Sequence, residues 1–378
     1  MKPVPDRPLV PLPPQPEGVG WPTEAWSFAD PAELGADVGR LDALLDELVD
    51  DGEHPTLGRT YAAAVVAGGR LVAERYGQRP VRDLRSLGED PPMDQLGPDD
   101  ELLSWSMAKS IANLAVGVAV GDGALALGDP VGDPRWTAAA DDPRAAITWD
   151  DLLTMQPGLE WTEEYYDVDD ASPPDVITML FGPGAGDMAG YAADKPLVHQ
   201  PGTREAFLYS SGTSNIVCGN LQRTLGLDAE AMDRFLHDRI LDPIGMGRAR
   251  NEFDATGTFV GSSYVHAPLR DWCRFGLLAM RDGTWDGRRL VPEGWMDWSR
   301  RGRNWDETII HGAHWWTWDH DETPFGAHGF EGQRVICFPA RDVVVVRLGR
   351  TGSESGPALN DHVTAIARCF PALAGQHS

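Results

Sequence analysis

The sequence predicts an α+β fold, with an antiparallel sheet flanked by helices and a mainly helical second subdomain. Three observations carry that expectation. A glycine-turned hairpin pattern stands early in the chain, two strand-like runs stand near its end, and a helical stretch broken by Pro and Gly lies between them. The chain has 378 residues, 42% of them apolar, which is enough for one large core or for two subdomains sharing a cleft.

The elements follow in order. Eight of the first 22 residues are proline, which removes amide donors and favours extended backbone, so residues 1–27 read as an arm. Val38, Leu41, Leu44, Leu45 and Leu48 recur at helical spacing and predict a helix with one buried face. Tyr61 to Ala67 and Arg70 to Tyr76 are β-rich runs around Gly68 and Gly69, which readily take the positive φ of a tight turn. From Leu102 to Arg248 helical runs dominate, and Thr148 with Asp151 resembles a capping box. Arg334 to Phe338 and Val343 to Leu348 read as strands on either side of Pro339 to Asp342, and a last helix is expected over about residues 360–369. The domain expectation is therefore an α/β subdomain from residues 28–100 and 249–378, around a helical subdomain at 101–248.

The formal charge of −26 repels phosphate backbones and anionic membranes, so neither nucleic acid nor membrane is an expected partner. The N-terminal stretch MKPVPDRPLVPLPP has no uninterrupted apolar run of the secretory type, and a cytoplasmic location is expected. Cys218, Cys273, Cys337 and Cys369 stand far apart with no C-x-x-C pair, and are expected to be reduced, packed side chains.

Only three of the 32 Lys and Arg residues are lysine: Lys2, Lys109 and Lys195. Arginine stays protonated in proteins, whereas a buried lysine can lose its proton. A lysine kept in an apolar helix therefore points to a need for a neutral amine. Lys109 sits among Met107, Ala108, Ile111, Ala112, Leu114, Ala115 and Val116, apolar around nearly every face. Ser106 lies three residues earlier, so both side chains share one face near the helix start. A serine hydroxyl is a weak nucleophile until a base takes its proton, and a desolvated amine can be that base. The competing reading, in which Ser106 caps the helix and Lys109 snorkels to water, is weakened by the scarcity of lysine and by the apolar helix.

With SMAKS followed by an apolar helix and DGALALGDPV, the sequence resembles the serine β-lactamase and penicillin-recognising superfamily, class C-like, over about residues 40–370. TWDDLLTMQPGL is another characteristic stretch. The family's Tyr-x-Asn or Tyr-x-Ser is matched by Tyr209, Ser210 and Ser211 in FLYSSGTSN. Its K-T-G strand is matched by Ala327, His328 and Gly329, with the spacing of Gly329 and Gly332 supporting that register. The resemblance implies a β-lactamase-like fold and an acyl-enzyme on Ser106, activated by Lys109 and by Tyr209 as a proton relay. It places the oxyanion on the backbone amides of Ser106 and Phe330, with Ser211, His328 and Gly329 beside the substrate.

Two departures bear on the substrate. Ala327 replaces the lysine that family β-lactamases use near the substrate carboxylate, with no evident replacement, and Ser211 stands for the usual asparagine. The pattern is more similar to the branch containing 6-aminohexanoate-dimer hydrolase and related carboxylesterases. In that branch a tyrosine following the LLTM stretch contacts the scissile amide; Tyr165 in WTEEYYD is the best match, with Tyr166 adjacent. Trp316 in HWWTW would line the pocket, and Trp315, Trp316 and Trp318 together would favour an apolar acyl chain. The expected activity is hydrolysis of small carboxylic esters or linear amides, with a small-molecule substrate as partner, no cofactor, no metal, and a homodimer left open. The alternatives are a β-lactamase or D-amino-acid peptidase of the same superfamily, or a non-catalytic binding protein on the same fold. A metal hydrolase using His311, His314, Asp319, His320 and His328 is weighed against, because the spacing is not H-E-x-x-H.

Overall fold

The computed structural model describes residues 8–50, 52–81, 92–165, 173–306, 309–318 and 322–373. Helix α1 (Val38–Leu48) occupies the residues its spacing predicts and buries Leu41, Leu45 and Leu48; Asp37 accepts the Arg40 amide at 3.2 Å and so caps its start. The hairpin forms from β1 (Arg59–Ala67) and β2 (Arg70–Tyr76), turning through Gly68 and Gly69 at φ 54° and 71°. The helical section contains α2 (Ala108–Gly121) and α3 (Ser211–Leu225), together with short helices, one of them Trp149–Leu153, which opens on the Thr148–Asp151 capping box. Helix α4 (Leu269–Met280) follows. The chain then runs through β3 (Asn304–Asp306), β4 (Ile309–His311), β5 (Trp316–Thr317), β6 (Phe325–Gly329), β7 (Gln333–Phe338) and β8 (Val343–Arg350), ending in α5 (Gly356–Ala367). Helix α5 begins one turn before the expected start, because Pro357 in the first turn costs no hydrogen bond.

The eight strands form one antiparallel sheet in the order β3-β4-β5-β6-β7-β8-β1-β2. Strand β8 pairs with β1 in the register Ala64↔Val346 and Val65↔Val345, so the two ends of the chain meet in the sheet. Alternation along these strands divides the core. Ala63, Val65, Val343 and Val345 pack with Leu41, Leu45, Val363 and Ile366 of α1 and α5, whereas Ala64, Val66, Val344 and Val346 face the larger core that includes α2 and α4. Both faces are covered, which is why these strands read as unbroken apolar runs.

The described part of the proline-rich arm, from residue 8 on, is strapped along the body. Arg274 Nε donates to the Pro22 carbonyl at 2.7 Å, Arg281 Nη1 to Pro13 at 3.1 Å, and Arg300 Nη2 to Val10 at 2.6 Å. All four cysteines are buried and free. A two-residue strand, Leu102–Leu103, pairs with Val265–Ala267 and was not expected; two residues are too few to show a period. It brings Ser104 against Val265, with Ser104 N donating to the Val265 carbonyl at 2.8 Å. No helix among the described residues is long and apolar enough to cross a membrane.

Candidate active site

Ser106 sits in a 3-10 turn, Trp105–Met107, that feeds α2, and Trp105 takes a left-handed φ of 46°. A bulky residue holds that conformation only where its surroundings impose it. Here the Trp105 ring packs edge-on against Phe330 at 5.6 Å and near Tyr264 at 6.3 Å. Strand β6 approaches the same turn so closely that a Cβ on Gly329 would lie 2.3 Å from the Ser104 carbonyl oxygen, so only glycine fits there. Thus the resemblance-based positions Ser106, Gly329 and Phe330 come together at one wall of a cavity of about 860 Å³.

Lys109 is 2% exposed and does not snorkel. Its Nζ lies 2.9 Å from Ser106 Oγ, 2.9 Å from Ser211 Oγ and 2.8 Å from the Ser262 carbonyl oxygen. Burial lowers its pKa to about 8, opposed by the negative charge of Glu163. About one Lys109 in ten is then neutral at pH 7, against about one in three thousand for an ordinary lysine. Tyr209 lines the cavity with its ring 5.1 Å from Lys109 Nζ, and hydrogen bonding with Ser106 partly offsets the burial and Glu163 charge that push its pKa up. Its ring rests on Trp316 at 4.9 Å.

Glu163 is the residue the sequence reasoning missed. It accepts the Ser211 amide at 2.8 Å and the Trp161 indole N–H at 2.7 Å on Oε2, and the Ser211 hydroxyl at 2.5 Å and the Tyr165 hydroxyl at 3.1 Å on Oε1. A carboxylate capping the first amide of α3 is favoured by the helix dipole. Its spacing of two from Tyr165 in an extended stretch was the available signal, since such residues lean to one side. Ser211 is fully buried between Lys109 and Glu163, so it supports the lysine instead of lining the cavity. Tyr165 does line it, stacked on Phe330 at 4.4 Å. Tyr166 lies outside the described residues.

Of the tryptophans expected to form an apolar wall, Trp316 lines the cavity, but Trp315 is fully buried and stacked on Phe275 at 5.6 Å. Trp318 packs behind, against His328 at 5.0 Å, and His328 faces the cavity with its pKa pushed well down by burial and by Arg334. Ala327 is buried, yet the expectation that no cation stands near that strand is corrected: Arg334 on β7, paired with His328, lines the cavity. Of the histidine set, only His311, His314 and His328 lie among the described residues. His314 spends Nδ1 on the Leu153 carbonyl at 2.8 Å and Nε2 on Ser214 at 2.9 Å, while Asp319 and His320 lie outside the described residues. No group of three or more metal-ligating side chains occurs among the described residues.

A first expectation follows from Lys109 and Glu163. For the wild type, kcat/KM rises with pH through an inflection near about 8, where the free enzyme's Lys109 becomes neutral. Glu163→Gln removes the negative charge that holds the lysine pKa up, so the inflection moves to lower pH. A pH–rate profile of the two proteins checks this, and an inflection that stays or rises would show that Glu163 does not act on the lysine.

The family model described as Beta-lactamase matches residues 41–368. The chain is 26% identical over 344 residues to the 6-aminohexanoate-dimer hydrolase of Paenarthrobacter ureafaciens, covering 86% of this chain and 82% of that protein. Among solved structures it superposes on a Bacillus anthracis protein provisionally assigned as a 6-aminohexanoate-dimer hydrolase, with TM-score 0.67, 20% identity, and coverage of 86% and 81%. A D-alanine carboxypeptidase from Burkholderia cenocepacia gives TM-score 0.58 at 16% identity, covering 87% of this chain and 99% of that one. At these identities the two structural likenesses speak for the fold.

Proposed function

Because the chain belongs to the beta-lactamase family and is a serine hydrolase, we propose that it cleaves small carboxylic esters or linear amides through an acyl-enzyme on Ser106. The observation that supports this most is the buried Lys109 amine, 2.9 Å from a serine hydroxyl at the wall of the cavity. In acylation, Ser106 Oγ bonds to the substrate carbonyl carbon and its proton passes to Lys109. Tyr209, beside the lysine, hands a proton to the departing alcohol or amine as the carbon–oxygen or carbon–nitrogen bond breaks and is reprotonated by Lys109, which returns to its neutral form. Backbone amides of Ser106 and Phe330 receive the developing oxyanion. Water then attacks the acyl carbon, losing its proton to neutral Lys109, and as the bond from the acyl carbon to Oγ breaks that proton passes to Oγ, which regenerates Ser106 and releases the acid.

Linear substrates are favoured for two reasons. Ala327 occupies the place of the strand lysine of family β-lactamases, and the relative from Paenarthrobacter ureafaciens is named for a 6-aminohexanoate dimer. Aromatic walls from Trp161, Tyr165, Phe207 and Trp316 suit an apolar acyl chain. The test is kcat/KM for p-nitrophenyl butyrate, a linear aminohexanoate dimer and a cephalosporin under identical conditions. The ester is expected to be fastest, having the best leaving group, and the cephalosporin slowest. A cephalosporin that ranks first makes the protein a β-lactamase.

A further inference from the structure

Strands β4 and β5 are joined through Gly312, Ala313, His314 and Trp315, and within this turn His314 takes a left-handed φ of 58°. A side chain adopts that region at a cost, which histidine tolerates better than most residues and glycine would remove altogether. His314 is also only 2% exposed, and burial, helped by the Lys109 charge, pushes its pKa down to about 3. A strained, desolvated and neutral histidine is an outlier from which a role can be argued. Its bonds say what that role is.

Backbone and side chain of this turn reach different segments of the site. The Ser110 hydroxyl, next after Lys109 on α2, donates to the His314 carbonyl at 2.7 Å, and Asn113 Nδ2, one turn on, donates to the Ala313 carbonyl at 2.9 Å. The imidazole extends the other way. Its Nδ1 lies 2.8 Å from the Leu153 carbonyl, which can only accept, so Nδ1 carries the proton and Nε2 is left to accept from the Ser214 hydroxyl at 2.9 Å. Ser214 stands in the first turn of α3, three residues after Ser211 and five after Tyr209. Both hydroxyls are buried, so neither bond competes with water.

Tyr209 is therefore held from two sides that meet at one residue. Its ring rests on Trp316 at 4.9 Å, two residues beyond His314, and its backbone runs into α3, to which the imidazole is tied. Both supports are fixed against α2, which carries Lys109. We propose that His314 is a positioning residue for Tyr209, setting the place of the tyrosine hydroxyl relative to the Ser106–Lys109 pair and hence how well it delivers a proton to the leaving group. The inference rests on the hydrolase reading above and adds which substrates depend on the histidine. An alkoxide or an amine must be protonated as it departs, whereas p-nitrophenolate is stable as an anion and leaves without a proton. A small displacement of Tyr209 thus slows substrates with poor leaving groups and spares activated esters.

The test is kcat/KM for the p-nitrophenyl, phenyl and ethyl esters of butyric acid, which share one acyl group and differ in the leaving group. His314→Gly keeps the left-handed backbone and removes the imidazole; it is expected to lose at least tenfold more on the ethyl than on the p-nitrophenyl ester. Ser214→Ala removes only the bond to Nε2 and leaves the backbone ties, so its differential is expected to be severalfold, and it carries the test if the glycine variant does not fold. Tyr209→Phe sets the benchmark with the same pattern in stronger form. A merely structural role would lower all three esters by one factor, so equal losses, or none, in a folded variant overturn the proposal. Fluorophosphonate labelling separates the two readings. A wild type that hydrolyses none of the esters and whose Ser106 does not label sinks the hydrolase and the positioning role with it; an active, labelled wild type with equal losses in the variants sinks the positioning role alone.

Discussion

Ser106→Ala is expected to lower turnover of p-nitrophenyl butyrate by about four orders of magnitude or more while leaving thermal unfolding nearly unchanged. The first half follows from losing the atom that forms the acyl bond; the other serine hydroxyl bonded to Lys109, that of Ser211, is fully buried. The second half follows from the site. Alanine is small and a good helix former, and the substitution falls in the turn that opens α2. Lys109 keeps two of its three partners, the Ser211 hydroxyl and the Ser262 carbonyl. Initial rates and melting curves of the two proteins decide the matter. Ester hydrolysis at the wild-type rate would remove Ser106 from the mechanism, and a collapse in melting temperature would make the loss uninformative.

Lys109→Arg is expected to be almost as inactive as Lys109→Ala, a loss of about a thousandfold or more, at the upper range for removing a general base. Guanidinium keeps the positive charge but does not deprotonate in a protein, so it cannot take the serine proton. The comparison separates two roles that one position could combine. If Lys109 acted only by attracting developing negative charge, arginine would retain most of the rate. The larger head must also fit a site only 2% exposed, so overpacking of about 1–3 kcal/mol is expected in the melting curve. An Arg variant with near-native activity would show that Lys109 serves as charge and not as base.

Much of the scaffold was legible because its signals are short-range. Helix α1 and the β1–β2 hairpin needed only apolar spacing and two glycines. The valine run of β8 announced a strand covered on both faces, and the capping box at Thr148 marked a helix start from two residues. The pairing of β1 with β8 was not legible, since nearly 300 residues separate them and nothing local records which edge meets which. Trp315 and Trp316 make the same point at the site. Adjacent residues near a strand point to opposite sides, so one became core and the other cavity wall, and only the register of the sheet says which.

By itself the sequence determined that Ser106 and Lys109 stand side by side, because residues three apart at the entry to one apolar helix share a face. It also determined that the lysine would be desolvated, since no polar face was available to it. Tertiary structure decided what tunes and what completes the site. Glu163 reaches Lys109 through Ser211, across separations of 48 and 102 residues, and Ser262 supplies its carbonyl from farther still. Arg334 looks like any strand arginine until packing removes its water and gives it no acid. Spacing along the backbone fixes which neighbours share a face, but the charge state of a buried group depends on everything folded against it, and that is settled only when distant segments meet.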